Sequence, residues 1–268
     1  MVVDNSLTRP LAVVTGASNG IGYELAKQFA KNNFDLLITA TGASINEAAR
    51  ACEAFGAKVQ TVEADLATYD GVEALYSKIK ETNVPVEAIA INAGVGVGGE
   101  FIKTDLQEEI NLIELNVVSS VHLAKRIVKD MVDRGRGKIL FTSSIAALMP
   151  GPFEVVYAAS KAFLQSFSQG LRNELKDTGV TVTALMPGPT DTNFFHRADM
   201  DDTRAGASKK DDPAEVAKQG FEALMEGKDS IIAGSIATKI QGTASQFLPD
   251  TVSAEMHRQL TEPGSAKK

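Results

Sequence analysis

The sequence of 268 residues contains one cysteine, no tryptophan and no long uninterrupted apolar run. The single Cys52 excludes an intramolecular disulfide framework and a cysteine-based zinc cluster, and it fits a reducing compartment. No apolar stretch approaches the roughly 18 residues of a membrane-spanning helix. Residues 1–10 also lack the basic-then-apolar pattern of a signal peptide. We therefore expect a cytoplasmic protein with no membrane partner.

The sequence has fewer basic than acidic residues. It contains 27 Lys and Arg and 34 Asp and Glu, which gives a net charge of −7. This balance argues against general binding to nucleic acids or to anionic membranes. The three histidines, His122, His196 and His257, lack metal-ligand spacing, so no metal site is predicted. The apolar fraction of 44% and charged fraction of 23% are ordinary for globular proteins and exclude collagen-like, coiled-coil and disordered chains.

Seven short runs rich in β-branched and other apolar residues alternate with segments of helical apolar spacing. The runs cover residues 11–15, 35–39, 58–62, 86–91, 138–142, 181–185 and 229–232. Strand and helix in steady alternation predict a parallel sheet covered on both faces. We therefore predict an α/β fold, a Rossmann-like doubly wound parallel sheet of about seven strands in a single domain.

Two segments interrupt that alternation. Residues 197–212 are polar and follow the sixth strand, so we predict a substrate lid over residues 190–212, with a solvated surface loop as the alternative. Residues 236–268 form a C-terminal extension outside a core of about residues 10–235. It is predicted to contain one or two short helices interrupted by Pro249 and a frayed end from residue 262.

A glycine-rich segment, TGASNGIG at residues 15–22, lies between the first strand and an amphipathic helix. A tight turn here brings backbone N–H groups and the positive end of a helix toward a pyrophosphate. A simple turn is the alternative, but the strand–turn–helix context favours a dinucleotide. The predicted pyrophosphate contacts are Gly16, Ser18, Asn19, Gly20, Ile21 and Gly22.

The end of the second strand selects between NAD and NADP, since an acidic residue there binds the ribose 2′-hydroxyl and repels a 2′-phosphate. Residues 39–44 read TATGAS, with neither an acid nor a base, which favours NADP while leaving NAD possible. Thr41 and Ser44 are candidate phosphate contacts. Ser44 and Glu47 also form a candidate capping box, and the alternative is that Ser44 only caps the helix.

Lys161 lies four positions after Tyr157, a spacing that places the phenol and the ammonium on one face of a predicted helix. A nearby cation lowers the pKa of a phenol toward the range in which it acts as a general acid or base. Ser143 and Ser144 follow the fifth strand, at the sheet edge where ligands bind in such folds. Either serine can orient a substrate oxygen, or both simply cap the strand end.

These segments resemble the short-chain dehydrogenase/reductases over about residues 10–235. The resemblance rests on residues 15–22, Asn92-Ala93-Gly94, Asn116, Ser144, Tyr157 with Lys161, and Pro187-Gly188, in that order. It implies a catalytic tetrad of Asn116, Ser144, Tyr157 and Lys161. By this resemblance Tyr157 exchanges the proton and Ser144, ahead of its neighbour Ser143, orients the substrate oxygen. Lys161 binds the nicotinamide ribose and depresses the tyrosine pKa, and Asn116 holds a water.

The resemblance also implies further cofactor contacts. Asp65 and Leu66 would contact the adenine, and Asn92, Ala93 and Gly94 would back the adenosine side. The nicotinamide amide would be held by Pro187, Gly188, Thr190 and Thr192. The chain departs from the family where Ile91 precedes Asn92, a position often occupied by a second asparagine, and where Ala40-Thr41 occupy the cofactor-selecting position.

The segments that follow Ser144 and Gly188 are mostly apolar, which predicts a small to medium, fairly apolar carbonyl or secondary alcohol substrate. The predicted substrate contacts are Ser144, Met149, Phe153 and Phe194, with core or oligomer contacts as the alternative. The resemblance implies a homodimer or homotetramer built on residues 111–131 and 154–176. The expected function is NAD(P)-dependent hydride transfer. The alternative is a catalytically silent dinucleotide-binding regulatory or scaffold protein, which would be expected to lose Tyr157 or Lys161.

Overall fold

The computed structural model describes residues 9–267, so most of the segment in which a signal peptide would lie, and Lys268, are outside the described residues. The seven strands of the described chain form one sheet in the order β3-β2-β1-β4-β5-β6-β7, and every neighbouring pair is parallel. They are β1 (Leu11–Thr15), β2 (Asp35–Ala40), β3 (Val59–Glu63), β4 (Val86–Ile91), β5 (Gly137–Thr142), β6 (Val180–Pro187) and β7 (Ser230–Ala233). The predicted doubly wound parallel fold is confirmed.

Helices cover both faces of this sheet and follow the strands in chain order. The first six are α1 (Gly20–Lys31), α2 (Ile45–Glu53), α3 (Tyr69–Glu81), α4 (Leu106–Ile113), α5 (Ser119–Asp133) and α6 (Val155–Glu174). The remaining ones are α7 (Phe194–Arg197), α8 (Arg204–Ala207), α9 (Pro213–Glu226), α10 (Ile236–Ser245) and α11 (Asp250–Thr261). None of the helices in residues 9–267 is long and apolar enough to cross a membrane.

The apolar strands bury side chains on both faces, which accounts for their near-continuous hydrophobic sequence. On one face Phe29 of α1 packs edge-to-face against Phe34 and against Phe221 of α9. On the other face Phe141 of β5 packs against Phe167 of α6. The strand order reverses between β1 and β4, and the carboxyl ends of the strands at that point open the crevice in which such folds bind ligands.

The fourth crossover differs from the prediction. Asp105 accepts hydrogen bonds from the backbone N–H groups of Gln107 and Glu108 and starts α4 ahead of the predicted residue 111. A π-helical turn, Glu114–Val118, then joins α4 to α5. A π-turn inserts an extra residue into the helix and rotates the next helical turns about the axis, which apolar spacing alone does not reveal.

Two smaller predictions are also corrected, the capping box at Ser44 and the frayed C-terminal end. Ser44 adopts helical dihedral angles and its side chain makes no capping hydrogen bond, so the predicted capping box does not form. The segment predicted as a lid contains the short helix α8, which Thr203 caps through a hydrogen bond from the N–H of Gly206. The end predicted to fray is held through Ser265, whose Oγ accepts from the N–H of Arg204 at 2.9 Å. Helices α10 and α11 lie on either side of Pro249, as expected.

Candidate active site

One cleft of about 430 Å³ runs along the carboxyl ends of the central strands. It collects most of the residues predicted from the sequence, although they come from segments far apart in the chain. The predicted residues that line it are Gly16, Ser18, Asn19, Gly20, Ile21, Gly22, Thr41, Asp65, Leu66, Asn92, Ala93, Gly94, Ser144, Met149, Tyr157, Lys161, Pro187, Gly188, Thr190, Thr192 and Phe194. Ser44, Asn116 and Phe153 lie outside its lining.

The glycine-rich turn at the start of α1 is too tightly packed for a side chain at Gly16 or Gly22. Gly16 has a φ of +66°, and a Cβ there would lie 2.8 Å from the Cα of Ala93. A Cβ on Gly22 would overlap the carbonyl oxygen of Gly16. Asn19 precedes the helix in an extended conformation without a side-chain cap, and no acidic residue occupies the first turn. The first N–H groups of α1 are therefore available to an anion such as a pyrophosphate.

Hydrogen bonds tie this turn to the neighbouring strands. Thr15 Oγ1 accepts from the N–H of Asn92 at 2.9 Å and from the N–H of Ala93 at 3.0 Å. The Asn92 side chain donates to the carbonyl of Thr15 at 3.1 Å and accepts from Thr142 Oγ1 at 3.0 Å. Asn92 thus joins the ends of β1, β4 and β5, and it sets the floor of the cleft at the switch point.

Tyr157 and Lys161 project from α6 into the deep part of the cleft, where both are buried. Lys161 Nζ donates to the carbonyl of Thr142 at 2.9 Å and lies 5.7 Å from the centroid of the Tyr157 ring. An ammonium has three hydrogens, so this bond leaves donors for a ligand. The Ser144 side chain lies close enough to the phenol of Tyr157 to act on its pKa.

The two candidate serines have different partners. Ser143 Oγ donates to the carbonyl of Lys161 at 2.8 Å and braces the backbone of α6. Ser144 Oγ accepts from the N–H of Ala146 at 3.1 Å, lies 3.5 Å from the carbonyl oxygen of Pro187 and acts on the phenol of Tyr157. Ser144 is thus the serine beside the phenol, and its 3.5 Å donor contact is much longer than the 2.8 Å bond that holds Ser143.

Burial dominates the electrostatics of this pair. It raises the pKa of Tyr157 above its ordinary value, the charge of Glu154 raises it further, and the Ser144 side chain opposes both. Burial also lowers the pKa of Lys161 to about 8. The expected depression of the tyrosine pKa by Lys161 is therefore not seen in the protein alone, where burial sets the direction of both shifts. The phenol is protonated at neutral pH.

Asn116 lies in the π-turn and is fully buried behind the cleft. Its Oδ1 accepts from the N–H of Val95 at 3.0 Å, while Nδ2 donates to the carbonyl of Val95 and to Ser160 Oγ at 2.9 and 3.0 Å. Both amide hydrogens are thus used by protein groups. A Cβ on Gly94 would lie 3.1 Å from Asn116 Oδ1 and 3.2 Å from Lys161 Nζ, so Gly94 allows these side chains to approach.

The adenosine end of the cleft is more open. Thr41 is exposed and lines it, whereas Ser44 is exposed and is not part of the lining. Asp65 Oδ1 accepts from the N–H of Ala67 at 3.0 Å, so one oxygen stabilises the turn, and Asp65 lines the cleft as an acceptor for a donor such as an adenine amino group. The Thr190 hydroxyl donates to the carbonyl of Gly188, and Thr192 Oγ1 accepts from the N–H of Phe194.

The substrate half of the cleft contains groups that sequence reasoning missed. Phe194 lies with its ring centroid 5.1 Å from that of Tyr157, and Met149 lines the wall. Phe153, with a φ of +62°, instead packs under the guanidinium of Arg258. Polar and apolar groups that were not predicted also line this half, from the residue before α6, from α7 and from the C-terminal helices: Glu154, Arg197, Gln241, His257, Leu260 and Thr261. Of these residues, Glu154 alone could have been found from the sequence, because it is only three positions before Tyr157. The others are far from the predicted site residues in the chain or follow no motif.

A glycine-rich turn at the switch point of a doubly wound sheet, together with buried Ser, Tyr and Lys side chains in one cleft, defines a dinucleotide-dependent oxidoreductase. The chain belongs to the short chain dehydrogenase family, whose model matches residues 10–203. It is 28% identical over 248 residues to the oxidoreductase UcpA of Salmonella typhimurium, and the match covers 91% of this chain and 92% of that relative.

Solved structures of the same class are similar along most of the chain. A short-chain dehydrogenase from Sphingobium yanoikuyae in complex with NADPH is 27% identical with a TM-score of 0.78, covering 83% of this chain and 87% of that one. A short chain dehydrogenase/reductase from Burkholderia phymatum in complex with NAD has a TM-score of 0.80 at 23% identity, covering 95% and 97%. The chain is thus an NAD(P)-dependent short-chain dehydrogenase/reductase.

Proposed function

We propose that this enzyme transfers a hydride between a nicotinamide cofactor, with NADP favoured, and a carbonyl or secondary alcohol of a small to medium, largely apolar substrate. The observation that carries the proposal is the meeting of Tyr157 with Ser144 and Lys161 in the same cleft as the glycine-rich turn. A scaffold protein without turnover has no need to keep these three side chains together.

The residues of the cleft fit a dinucleotide. The crowded Gly16 and Gly22 and the uncapped start of α1 suit a pyrophosphate, and the spare donors of Lys161 suit ribose hydroxyls. Asp65 would face the adenine, and Thr190 or Thr192 would hold the nicotinamide amide. When bound, the dihydronicotinamide supplies the hydride.

The protein then handles the proton and the developing charge. Tyr157 donates its phenolic hydrogen to the substrate oxygen during reduction and accepts it during oxidation. Ser144 donates a hydrogen bond to the same oxygen, and Lys161 stabilises the negative charge that develops on the phenol. Asn116 acts as a positioning residue, because its amide holds Val95 and Ser160 in place. The raised pKa of Tyr157 keeps the phenol protonated in the protein alone, which is the form that donates to a carbonyl oxygen.

The preference for NADP rests on the end of β2. Residues 40–42 are Ala, Thr and Gly, so no carboxylate repels a 2′-phosphate and the exposed Thr41 hydroxyl can bind one. The similar enzyme from Sphingobium yanoikuyae was solved with NADPH. Calorimetric titration with NADPH and NADH tests the preference, and tighter binding of NADH would overturn it.

We also propose a homodimer or homotetramer assembled through α4, α5 and α6. Large apolar side chains on α4, on the π-turn that leads into α5 and on α6 are left exposed: Ile110, Ile113, Val118, Val155 and Phe163. Burying them against a second copy removes this surface from water. Light scattering is expected to give a dimer or a tetramer, and a monomer at micromolar concentration would refute this assembly. The cytoplasm is the proposed location, supported by the buried free thiol of Cys52.

The deciding experiment is a panel of ketones, aldehydes and alcohols followed by the absorbance of the reduced nicotinamide. Turnover of one of these classes with either cofactor is the expected result. Binding of a dinucleotide without turnover of any member would favour the scaffold function instead.

A further inference from the structure

A buried carboxylate and imidazole face each other in the substrate half of the cleft. Glu154 and His257 are 6% and 7% exposed, and both line the cleft. His257 Nε2 and Glu154 Oε2 are 3.0 Å apart. The two side chains thus form a hydrogen-bonded pair inside the cleft.

The second oxygen of Glu154 remains available to a ligand. Among residues 9–267, the carboxylate of Glu154 is hydrogen-bonded to His257 through Oε2, and Oε1 is neither hydrogen-bonded nor fully enclosed by protein. Because Glu154 lines the cleft, a ligand there can reach this carboxylate. A buried polar group facing a binding cleft is normally satisfied either by water or by a polar group of the ligand.

The position of Glu154 relates it to the reacting atoms. It immediately precedes α6 and lies three residues before Tyr157 in the chain. Glu154, Tyr157 and Ser144 line the same cleft, and the charge of Glu154 acts on the Tyr157 phenol. A substrate whose oxygen is held by Tyr157 and Ser144 therefore lies in the same cleft as a second group that accepts hydrogen bonds.

His257 comes from α11, which is docked over this part of the cleft. Thr261 Oγ1 donates to the carbonyl of Pro152 at 2.8 Å, and the Arg258 guanidinium lies 4.9 Å from the ring centroid of Phe153. These contacts hold the imidazole against Glu154 and fix the orientation of its carboxylate. Arg258 itself does not line the cleft. A substitution of Arg258 can therefore weaken the docking of α11 without removing a contact to the substrate.

We propose that Glu154, oriented by His257, binds a second oxygen of the substrate, a hydroxyl on a carbon next to the reacting carbonyl or one carbon further. The preferred substrates are then hydroxy ketones, and the corresponding diols in the reverse direction. This inference rests on the proposed function and narrows its substrate class. A hydroxyl satisfies the carboxylate because it donates, whereas a second carbonyl presents only an acceptor and is disfavoured.

Three ketones with one carbon skeleton test the proposal: butanone, acetoin and diacetyl, with acetophenone and α-hydroxyacetophenone as a bulkier pair. The wild-type enzyme is expected to favour each hydroxy ketone over its deoxy partner by about tenfold or more in kcat/KM, the value of a hydrogen bond to a charged group. Glu154→Gln keeps the shape and an acceptor for His257 but presents an amide donor to the cleft. The Glu154→Gln variant should lower the ratio of kcat/KM for acetoin to that for butanone about tenfold. It should raise the ratio of kcat/KM for diacetyl to that for acetoin.

Arg258→Ala is the matched control, because it weakens docking of α11 without changing a polar atom of the cleft. It keeps both Glu154 and His257, so it is expected to change kcat/KM for hydroxy and deoxy ketones by similar factors and to alter their ratio less than His257→Gln does. His257→Gln should lower the ratios less than Glu154→Gln does, since it disturbs only the orientation of the carboxylate. Thermal unfolding of each variant verifies that it folds.

Three outcomes overturn the proposal in distinguishable ways. A wild-type enzyme that reduces butanone or acetophenone but shows no preference for their hydroxy partners contradicts this inference and leaves the proposed function intact. Equal loss on all substrates in Glu154→Gln and in Arg258→Ala makes the pair a docking contact only. Absence of turnover with every carbonyl and both cofactors overturns the proposed function and this inference with it.

Discussion

The ammonium of Lys161 lies 5.7 Å from the centroid of the Tyr157 ring, and it is held there by a 2.9 Å hydrogen bond to the carbonyl of Thr142. The end of β5 therefore sets the distance between the two side chains. Helical spacing brings Tyr157 and Lys161 to one face of α6, but the hydrogen bond to the end of β5 fixes the position of the ammonium.

Tyr157→Phe is expected to lower kcat by at least about a thousandfold, because it removes the only hydrogen that the phenol can donate to the substrate oxygen. Calorimetry should still detect cofactor binding, since the ring remains. Tyr69→Phe is the matched control, because Tyr69 is 66% exposed and lies outside the cleft. Retained turnover in Tyr157→Phe would reject the proposed proton donor.

Lys161→Met should leave the fold at least as stable at neutral pH while abolishing turnover. Burial lowers the pKa of Lys161 from 10.5 in an unfolded chain to about 8 in the fold. Between these values the unfolded chain binds a proton that the folded chain does not, so this lysine makes the free energy of unfolding rise with pH across that window.

The stability advantage of Lys161→Met over wild type should therefore shrink by about 1–3 kcal/mol between pH 7 and pH 10, at about 1.4 kcal/mol per pKa unit. Urea unfolding at several pH values measures it. A difference between the two proteins that does not change with pH would show that the buried ammonium is not the cause.

Gly22→Ala is expected to weaken cofactor binding severely, because the new methyl group would overlap the carbonyl oxygen of Gly16 and displace the turn from α1. Gly170→Ala provides a contrast within the same chain. No heavy atom lies within 4 Å of a Cβ built there, and the position is an exposed one in α6.

The Gly170→Ala variant should bind the cofactor normally and gain about 0.5–1 kcal/mol of stability, since alanine favours a helix over glycine. Calorimetry and thermal unfolding measure the two effects. Equal cofactor affinity in both variants would contradict the role of the turn as a phosphate site.

Thr41→Asp should convert the cofactor preference toward NADH. A carboxylate at the end of β2 repels a 2′-phosphate and accepts hydrogen bonds from ribose hydroxyls. We expect the Kd for NADPH to rise about tenfold or more, with a smaller change or a gain for NADH. Thr41→Asn is the uncharged control, and a similar effect of both substitutions would mean that the phosphate does not lie near this residue.

Some of the site follows from local sequence. Gly16, Gly20 and Gly22 are predictable because strand, turn and helix are consecutive, and Tyr157 pairs with Lys161 through helical periodicity alone. The choice between Ser143 and Ser144 rests on the family resemblance. Successive side chains of a strand point to opposite faces, but the sequence alone does not tell which of the two hydroxyls faces α6. The structure separates them through the backbone of Lys161 and the phenol of Tyr157.

By itself the sequence determined the alternation of seven strands with helices, the glycine-rich turn and the chemistry of the cleft, because each depends on residues close together in the chain. Tertiary structure alone decided the approach of His257 to Glu154, 103 residues away, and the commitment of the Asn116 amide to Val95 and Ser160. It also decided the sign of the Tyr157 pKa shift. Contacts across long sequence separations and the loss of water on burial arise only when α6, α11 and the sheet are packed together.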